Sequence, residues 1–245
     1  MKDNFSTHAD LYAQFRPTYP SALFDFLLTI VPQRRIAWDC ATGNGQLAVE
    51  LASHFIEVVA TDLSASQIGN AVARSNIVYH VERAEHSSIA DNSIDLITVG
   101  QAIHWFDFDT FYKEVHRVLT PDGIIAVIGY PLPQIDPRVD RCIGKLYNDV
   151  LASYWDPERR YVDELYQTIP FPFHEIKAPG LITTCTWTME QLLGYLNTWS
   201  GVQHFISKNN SNPISSMLDE FRGAWGEKKM KAVVFPILAR IGRRR

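Results

Sequence analysis

Two acids bracket a glycine turn early in the chain, and their placement is that of a nucleoside site. The apolar run Ile36-Ala-Trp ends in Asp39-Cys40, breaks at Ala41-Thr-Gly43-Asn44-Gly45-x-x-Ala48, and resumes as a helical pattern. A second apolar run, Val58-Val-Ala60, ends in Thr61-Asp62. Glycine at such a turn lets the backbone approach a ligand closely, because no Cβ intervenes. The helix start that follows adds unpaired N–H groups and a positive dipole end. An acid closing the next strand accepts both hydroxyls of a ribose. The pattern predicts a nucleoside-containing ligand across the ends of two adjacent parallel strands. A dinucleotide also fits a lone glycine turn followed by an acid. Asp39, four residues ahead of Gly43, argues against a pyrophosphate and for an ammonium group met directly or through water.

Two later segments carry further candidates. Arg83-Ala84-Glu85 follows the third apolar run; a small residue there leaves room for a flat base, and Glu85 meets an adenine amine or is an ordinary exposed acid. Gly100-Gln101-Ala102-Ile-His104-Trp105-Phe-Asp107 follows the fourth. Histidine hydrogen-bonds or deprotonates an acceptor near neutral pH. The Trp105 ring offers a π-face to a cation or an organic substrate. The alternative for His104 is a purely structural loop histidine.

The elements that must position these residues read as an α/β chain. Strands are predicted over Ile36–Cys40, Glu57–Thr61, Val78–Glu82, Ile94–Val99 and Ile124–Tyr130, stacked by right-handed crossovers with a topological switch after the first. Ser64-Ala-Ser-Gln67 reads as a capping box. Phe108, Phe111, Tyr112, Val115, Val118 and Leu119 follow helical spacing, and Thr120-Pro-Asp-Gly123 reads as the turn that ends that helix. Val139, Ile143, Leu146, Tyr147, Val150, Leu151 and Tyr154 form one amphipathic stripe. His174–Thr188 and Ala232–Ile241 read as two late strands around a helical segment over Met189–Ile206. The expected whole is a single domain over 1–245: an open, seven-stranded, mostly parallel Rossmann-like sheet with helices on both faces. It carries an N-terminal helical cap over 1–35, a cofactor-binding core over 36–130, and a helical lid and substrate side over 131–170 and 186–230. Tyr154, Trp155, Tyr161, Tyr166, Phe171 and Phe173 are core rings, the inner wall of a lid, or both.

The acid ahead of the Gly-x-Gly turn resembles motif I of the class I S-adenosylmethionine-dependent methyltransferases. Ala102-Ile-His-Trp-Phe-Asp107, with Phe111, Glu114, Arg117-Val-Leu119 and Gly123, resembles the type 11 methyltransferase family. More narrowly it is similar to the trans-aconitate-methyltransferase-like branch, as is Ala9-Asp-Leu-Tyr12-Ala-Gln-Phe-Arg16-Pro-Thr-Tyr19-Pro20. The resemblance implies that Gly43, Asn44, Gly45, Asp62, Leu63, Ala84, Glu85 and Gln101 surround S-adenosylmethionine, with Asp39, Ala41, Gln67, Gly100 and Ala102 completing the contacts. Tyr12 and Arg16 fold over the methionyl end, Arg16 neutralising a carboxylate or recognising an acidic substrate. His104 and Trp105 face the transferred methyl group. A hydroxyl or amine acceptor calls on His104 as a base, whereas a carboxylate acceptor makes it an orienting donor. One departure is Ala41-Thr42, where the family more often places glycine before the variable residue.

Bulk properties bound the remaining classes. The chain has 245 residues, 46% of them hydrophobic, enough for one substantial core, and its net charge of -4 gives no field for nucleic acid or an acidic membrane. The basic C-terminal cluster of Lys228, Lys229, Lys231 and Arg243–Arg245 reads as a solvated terminus. Three cysteines without CxxC spacing suit a reducing compartment. The first ten residues lack an apolar signal core, and no run approaches the roughly 18 apolar residues a membrane span needs. The expectation is a cytoplasmic enzyme using S-adenosylmethionine on a small molecule, with no metal. The competing readings are an NAD-dependent oxidoreductase and a non-catalytic S-adenosylmethionine-binding protein.

Overall fold

The structure is a computed structural model, and it describes residues 15–244. Tyr12 and half of the segment 9–20 that carries it lie outside the described residues. Five apolar runs become parallel strands: β1 (Ile36–Cys40), β2 (Glu57–Asp62), β3 (Ile77–Val81), β4 (Ile94–Gly100) and β5 (Leu119–Gly129). Two late strands, β6 (His174–Ile176) and β9 (Leu238–Arg243), complete a seven-stranded sheet of order β3-β2-β1-β4-β5-β9-β6. Only β9 runs against its neighbours. β1 pairs with β2 on one side and β4 on the other, so the switch point lies at the carboxyl end of β1, as expected.

Alternation along the strands sorts the core onto two faces. Ala37, Leu96 and Ile124 pack with Leu23, Leu27, Leu47 and Leu51 from α1 (Ser21–Ile30) and α2 (Gln46–Leu51). Their neighbours Trp38, Ile97 and Ile125 pack on the other face with Phe111, Val115 and Val118. A parallel sheet requires this double cover. After α3 (Ala65–Gly69), the second face is closed by α4 (Phe108–Val118), which starts where the Asp107 carboxylate accepts from the Thr110 N–H at 2.8 Å.

Three expectations about boundaries are corrected. Thr120–Gly123 does not end α4 as a separate turn. The strand starts at Leu119, Ile94 pairs with Leu119 and Leu96 with Ile124, and the intervening residues bulge. Each late strand is divided. His174–Thr188 becomes β6 and β7 (Ile182–Trp187), and Ala232–Ile241 becomes parts of β8 (Lys231–Pro236) and β9. β6 pairs with β9, β7 with β8, and the Ile237 N–H donates to Leu181 O at 2.8 Å between them. One antiparallel ladder therefore starts in the main sheet and leaves it as a second, two-stranded sheet. It leaves because Pro131 and Pro133, directly after β5, have no N–H to donate; pairing resumes only at Gln134 and Val234. Finally, Met189–Ile206 is two helices, broken at Thr198-Trp199.

The remaining helices form a layer with a core of its own. They are α5 (Pro137–Lys145), continued by a π-helical turn Leu146–Val150, then α6 (Arg160–Asp163), α7 (Met189–Asn197), α8 (Ser200–Asn209), α9 (Pro213–Ser216) and α10 (Leu218–Trp225). Val139, Ile143, Leu146, Tyr147, Leu196, Trp199, Phe221 and Phe235 are buried in this layer, and Tyr19 packs against it.

Candidate functional site

The first wall of the site is the turn between β1 and α2. Asp39 is buried and bonded entirely within the chain. Its Oδ1 accepts from the Thr98 hydroxyl at 2.8 Å, and its Oδ2 from the Thr42 hydroxyl at 2.5 Å and the Ala48 N–H at 3.0 Å. The carboxylate thereby fastens β1 to β4 and draws the turn onto the start of α2. Burial outweighs these donors and pushes its carboxyl pKa up to about 6. Within the clamp Ala41, Gly43 and Gly45 all adopt positive φ, of 55°, 57° and 87°. A Cβ on Gly45 would stand 2.4 Å from the Tyr79 hydroxyl, whereas one on Gly43 would meet only Gln67 Oε1, at 3.9 Å. Gly45 therefore serves packing, and Gly43 leaves its open face to the cavity.

Asp62 closes the turn from β2. Its Oδ2 accepts from the Gly43 N–H at 2.9 Å and its Oδ1 from the Ser64 N–H at 2.8 Å. Ser64 caps α3 by accepting from the Gln67 N–H, but the reciprocal half of the expected capping box is absent, because the Ser64 N–H already donates to Asp62. The Gln67 side chain lies on the cavity wall instead.

The facing wall follows β4. A Cβ on Gly100 would lie 2.7 Å from Leu47 Cδ1 and 3.1 Å from the Tyr19 hydroxyl, so glycine is required by close approach. Gln101 adopts φ 53°, its N–H donating to Ile128 O at 2.8 Å and its Nε2 to Tyr130 O at 2.9 Å. Ala102 leads into a single 3₁₀ turn, Ile103–Trp105. His104 is buried there, its ring 4.8 Å from Trp105 and 6.1 Å from Tyr166. Burial, with the nearby Arg159 and Arg16 charges, drives its pKa down to about 3, so the imidazole is neutral. Arg16 donates to the Tyr130 hydroxyl at 3.3 Å and lies 5.4 Å from the Tyr195 ring centre.

These walls surround a cleft that opens to solvent. Of the residues singled out from sequence, Arg16, Asp39, Ala41, Gly43, Asn44, Asp62, Leu63, Gln67, Gly100, Gln101, Ala102 and Trp105 lie on its wall. Gly45, Ala84, Glu85 and His104 do not. Glu85 is buried rather than exposed, and its carboxylate accepts from the Asp107 N–H at 3.2 Å and pairs with Arg83 at 3.5 Å, tying the loop after β3 to the start of α4. Tyr19, Thr42, Ser64 and Tyr130 line the cleft but were missed. Tyr19 lay within the quoted N-terminal segment, and Tyr130 closes the fifth apolar run, so both had a positional signal.

Among the described residues, the charged side chains on the wall are Asp39, Asp62 and Arg16. Two carboxylates beside an open glycine face suit a ligand with a cationic centre and a vicinal diol, and disfavour a pyrophosphate. Comparison with known proteins agrees. Residues 38–127 match the Methyltransferase domain family. A protein of Dictyostelium discoideum assigned as a methyltransferase is 31% identical over 243 residues, covering 96% of this chain and 92% of that protein. A protein of Saccharomyces cerevisiae assigned as an S-adenosylmethionine-dependent methyltransferase is 25% identical, covering 82% of each. A structure from Anaeromyxobacter dehalogenans, assigned as a type II methyltransferase, superposes with a TM-score of 0.86 at 40% identity, covering 94% of this chain and 98% of that one. The cofactor is accordingly S-adenosylmethionine rather than NAD, and the chain belongs to the class I S-adenosylmethionine-dependent methyltransferases.

Proposed function

We propose that this enzyme methylates a small organic molecule bearing a carboxylic acid, as members of the trans-aconitate-methyltransferase-like branch do, and that it works in the cytoplasm. The observation that carries this reading is Arg16: its guanidinium lies on the cleft wall beside Tyr130, on the same cleft as the glycine turn. Bound S-adenosylmethionine supplies a methyl group already activated on a sulfonium. The chain's own residues then have to bind, orient and exclude water. In this reading Asp62 takes the ribose hydroxyls, Gly43 admits the nucleoside against the backbone, and Gly100–Ala102 support the methionyl part. Trp105 packs the acceptor, and Arg16 holds its carboxylate. Alignment of the two reactants supplies about 7–11 kcal/mol in favourable cases. The three cysteines are unpaired, which supports a reducing compartment. No helix among the described residues is long and apolar enough to cross a membrane.

The test is calorimetric titration with S-adenosylmethionine, S-adenosylhomocysteine and NAD, followed by transfer of labelled methyl onto matched small acids and their amides. Binding of both sulfur nucleosides, transfer to acids alone, and a rise of tenfold or more in KM for the acid on Arg16→Gln are expected, the loss of one charge-assisted bond being about 1.5–3 kcal/mol. Failure of the folded protein to bind either sulfur nucleoside overturns the site assignment. Equal transfer to acids and amides overturns the substrate class.

A further inference from the structure

Gly129, the last residue of β5, has no backbone need to be glycine. Its φ is not positive, and it pairs with Leu238 of β9 in the ladder. Glycine weakens a strand and marks the close approach of another group. A Cβ here would stand 2.7 Å from Tyr166 Cε2, 2.9 Å from the Tyr166 hydroxyl and 3.0 Å from Gln101 Oε1. The missing side chain makes room for two others, and one of them, Gln101, lies on the cleft wall.

Gln101 holds φ 53°, a conformation that is strained for any residue but glycine and persists where the surroundings over-determine it. Both residues flanking Gly129 hold it there. Its N–H donates to Ile128 O at 2.8 Å, and its Nε2 donates to Tyr130 O at 2.9 Å. A carbonyl only accepts, so the amide must turn Oε1 the other way, toward Gly129 and the Tyr166 hydroxyl 3.2 Å off. Tyr166 cannot give way. Its ring is fully buried, and Leu165 and Tyr166 adopt φ of 54° and 60°. Arg240, from β9, donates to Tyr166 O at 3.1 Å and to Ile169 O at 2.7 Å, while the Tyr166 N–H donates to Tyr161 O at 2.7 Å. With the ring pinned from behind, a group added at position 129 displaces the Gln101 amide, which borders the open cleft.

We propose that Gly129 and Tyr166 are positioning residues that set the Gln101 amide on the cleft wall, Gly129 by leaving the gap and Tyr166 by backing it. Through Gln101 they fix how the methionyl part of S-adenosylmethionine is held, although neither lines the cleft itself. This last step rests on the placement of Gly100–Ala102 under that part in the proposed function.

The test is calorimetric titration with S-adenosylhomocysteine and 5′-methylthioadenosine, which share adenosine and sulfur and differ in the amino-acid portion. A disturbed fold weakens both, whereas a displaced Gln101 weakens only the first. Gly129→Ala is expected to weaken S-adenosylhomocysteine about tenfold or more and 5′-methylthioadenosine less than about twofold. Tyr166→Phe removes only the hydroxyl and carries the test if Gly129→Ala does not fold; it is expected to act in the same one-sided sense, by about three- to tenfold. In a Gln101→Ala background Gly129→Ala is expected to add nothing to the loss. Equal weakening of both ligands by the folded variants, unchanged affinity for S-adenosylhomocysteine, or a full effect of Gly129→Ala without Gln101 each overturns the positioning. A Gln101→Ala variant that keeps the whole preference for S-adenosylhomocysteine overturns the placement of Gln101 in the proposed function, and this proposal with it. Loss of that preference in Gln101→Ala but in neither of the other two variants overturns the positioning alone.

Discussion

Asp62 offers the sharpest test of the site, because its carboxylate has two separable duties. Toward the chain it accepts the Gly43 and Ser64 N–H groups, one on each oxygen. Toward the ligand it is expected to accept the ribose hydroxyls. Asp62→Ala removes both. Each buried N–H left without an acceptor costs about 1–3 kcal/mol, so the apo variant is expected to lose about 2–6 kcal/mol of unfolding free energy. Asp62→Asn, which keeps one acceptor, is expected to lose about half of that. Binding should weaken by a further 1.5–3 kcal/mol, about 10- to 150-fold in Kd. Weakened binding alone does not separate a lost contact from a collapsed turn. A double-mutant cycle does. S-adenosylhomocysteine and its 2′,3′-dideoxy analogue are titrated calorimetrically into wild type and Asp62→Ala at a temperature where both are folded. The wild type should pay for the missing hydroxyls and the variant should not, giving a coupling of about 1.5–3 kcal/mol. A coupling near zero refutes the ribose assignment, however much either variant weakens binding.

Two further predictions concern the same wall. Ala41 holds φ 55°, a conformation that costs a non-glycine residue about 1–2 kcal/mol, while glycine brings about 0.5–1 kcal/mol of extra unfolded-state entropy. Ala41→Gly should therefore raise stability by about 0.5–1 kcal/mol, and a lower denaturation midpoint in urea would contradict the strain argument. The second uses two opposed titrations. The ordinary His value of 6.5 falls to about 3 in His104, so the unfolded chain takes up a proton that the fold excludes, and stability rises with pH across that window. Asp39 is raised from 3.8 to about 6, so the fold retains a proton that the unfolded chain loses, and stability falls as pH rises between those values. From about pH 4 to 6 the two oppose each other. Relative to wild type, Asp39→Asn should make stability climb more steeply with pH, by up to about 1.4 kcal/mol per unit, and His104→Gln should tilt it the other way. Denaturant titrations at several pH values check this; parallel curves for the two variants would show that neither group titrates as its burial demands.

What the sequence discloses about this protein is set by how local each cause is. The ends of β1 and β2 were legible because an apolar run followed by an acid and a glycine turn is written in consecutive residues. The parallel sheet followed from the spacing of five such runs. The split of each late strand between two sheets was not legible, since it depends on where β5 runs into Pro131 and Pro133, about fifty residues before the first of those strands closes. The burial of Glu85 was not legible for a similar reason. Its partner, the Asp107 N–H, belongs to the start of α4, and no local pattern separates an acid that ties two loops together from one that faces solvent or an adenine. Tyr166 was read only as one ring among six in an aromatic-rich stretch. In the fold it is fully buried, on a left-handed backbone held by Arg240, seventy-four residues away.

The two acids of the opening motif show how far residue type underdetermines role. In sequence Asp39 and Asp62 look alike: each lies at or next to the end of a strand, and each is read as meeting the ligand. In the fold, Asp39 collects two hydroxyls and an N–H from its own chain, in an environment dry enough to raise its pKa to about 6. Asp62 accepts the Gly43 and Ser64 N–H groups, one on each oxygen. A carboxylate that must stay ionised and exchange partners with each ligand cannot also be the buried clip that gives the turn its shape. Under the proposed function, dividing the tasks between two strands lets one acid fix the geometry while the other meets the ribose. A turn closed by a single acid would have to reorganise each time the nucleoside left.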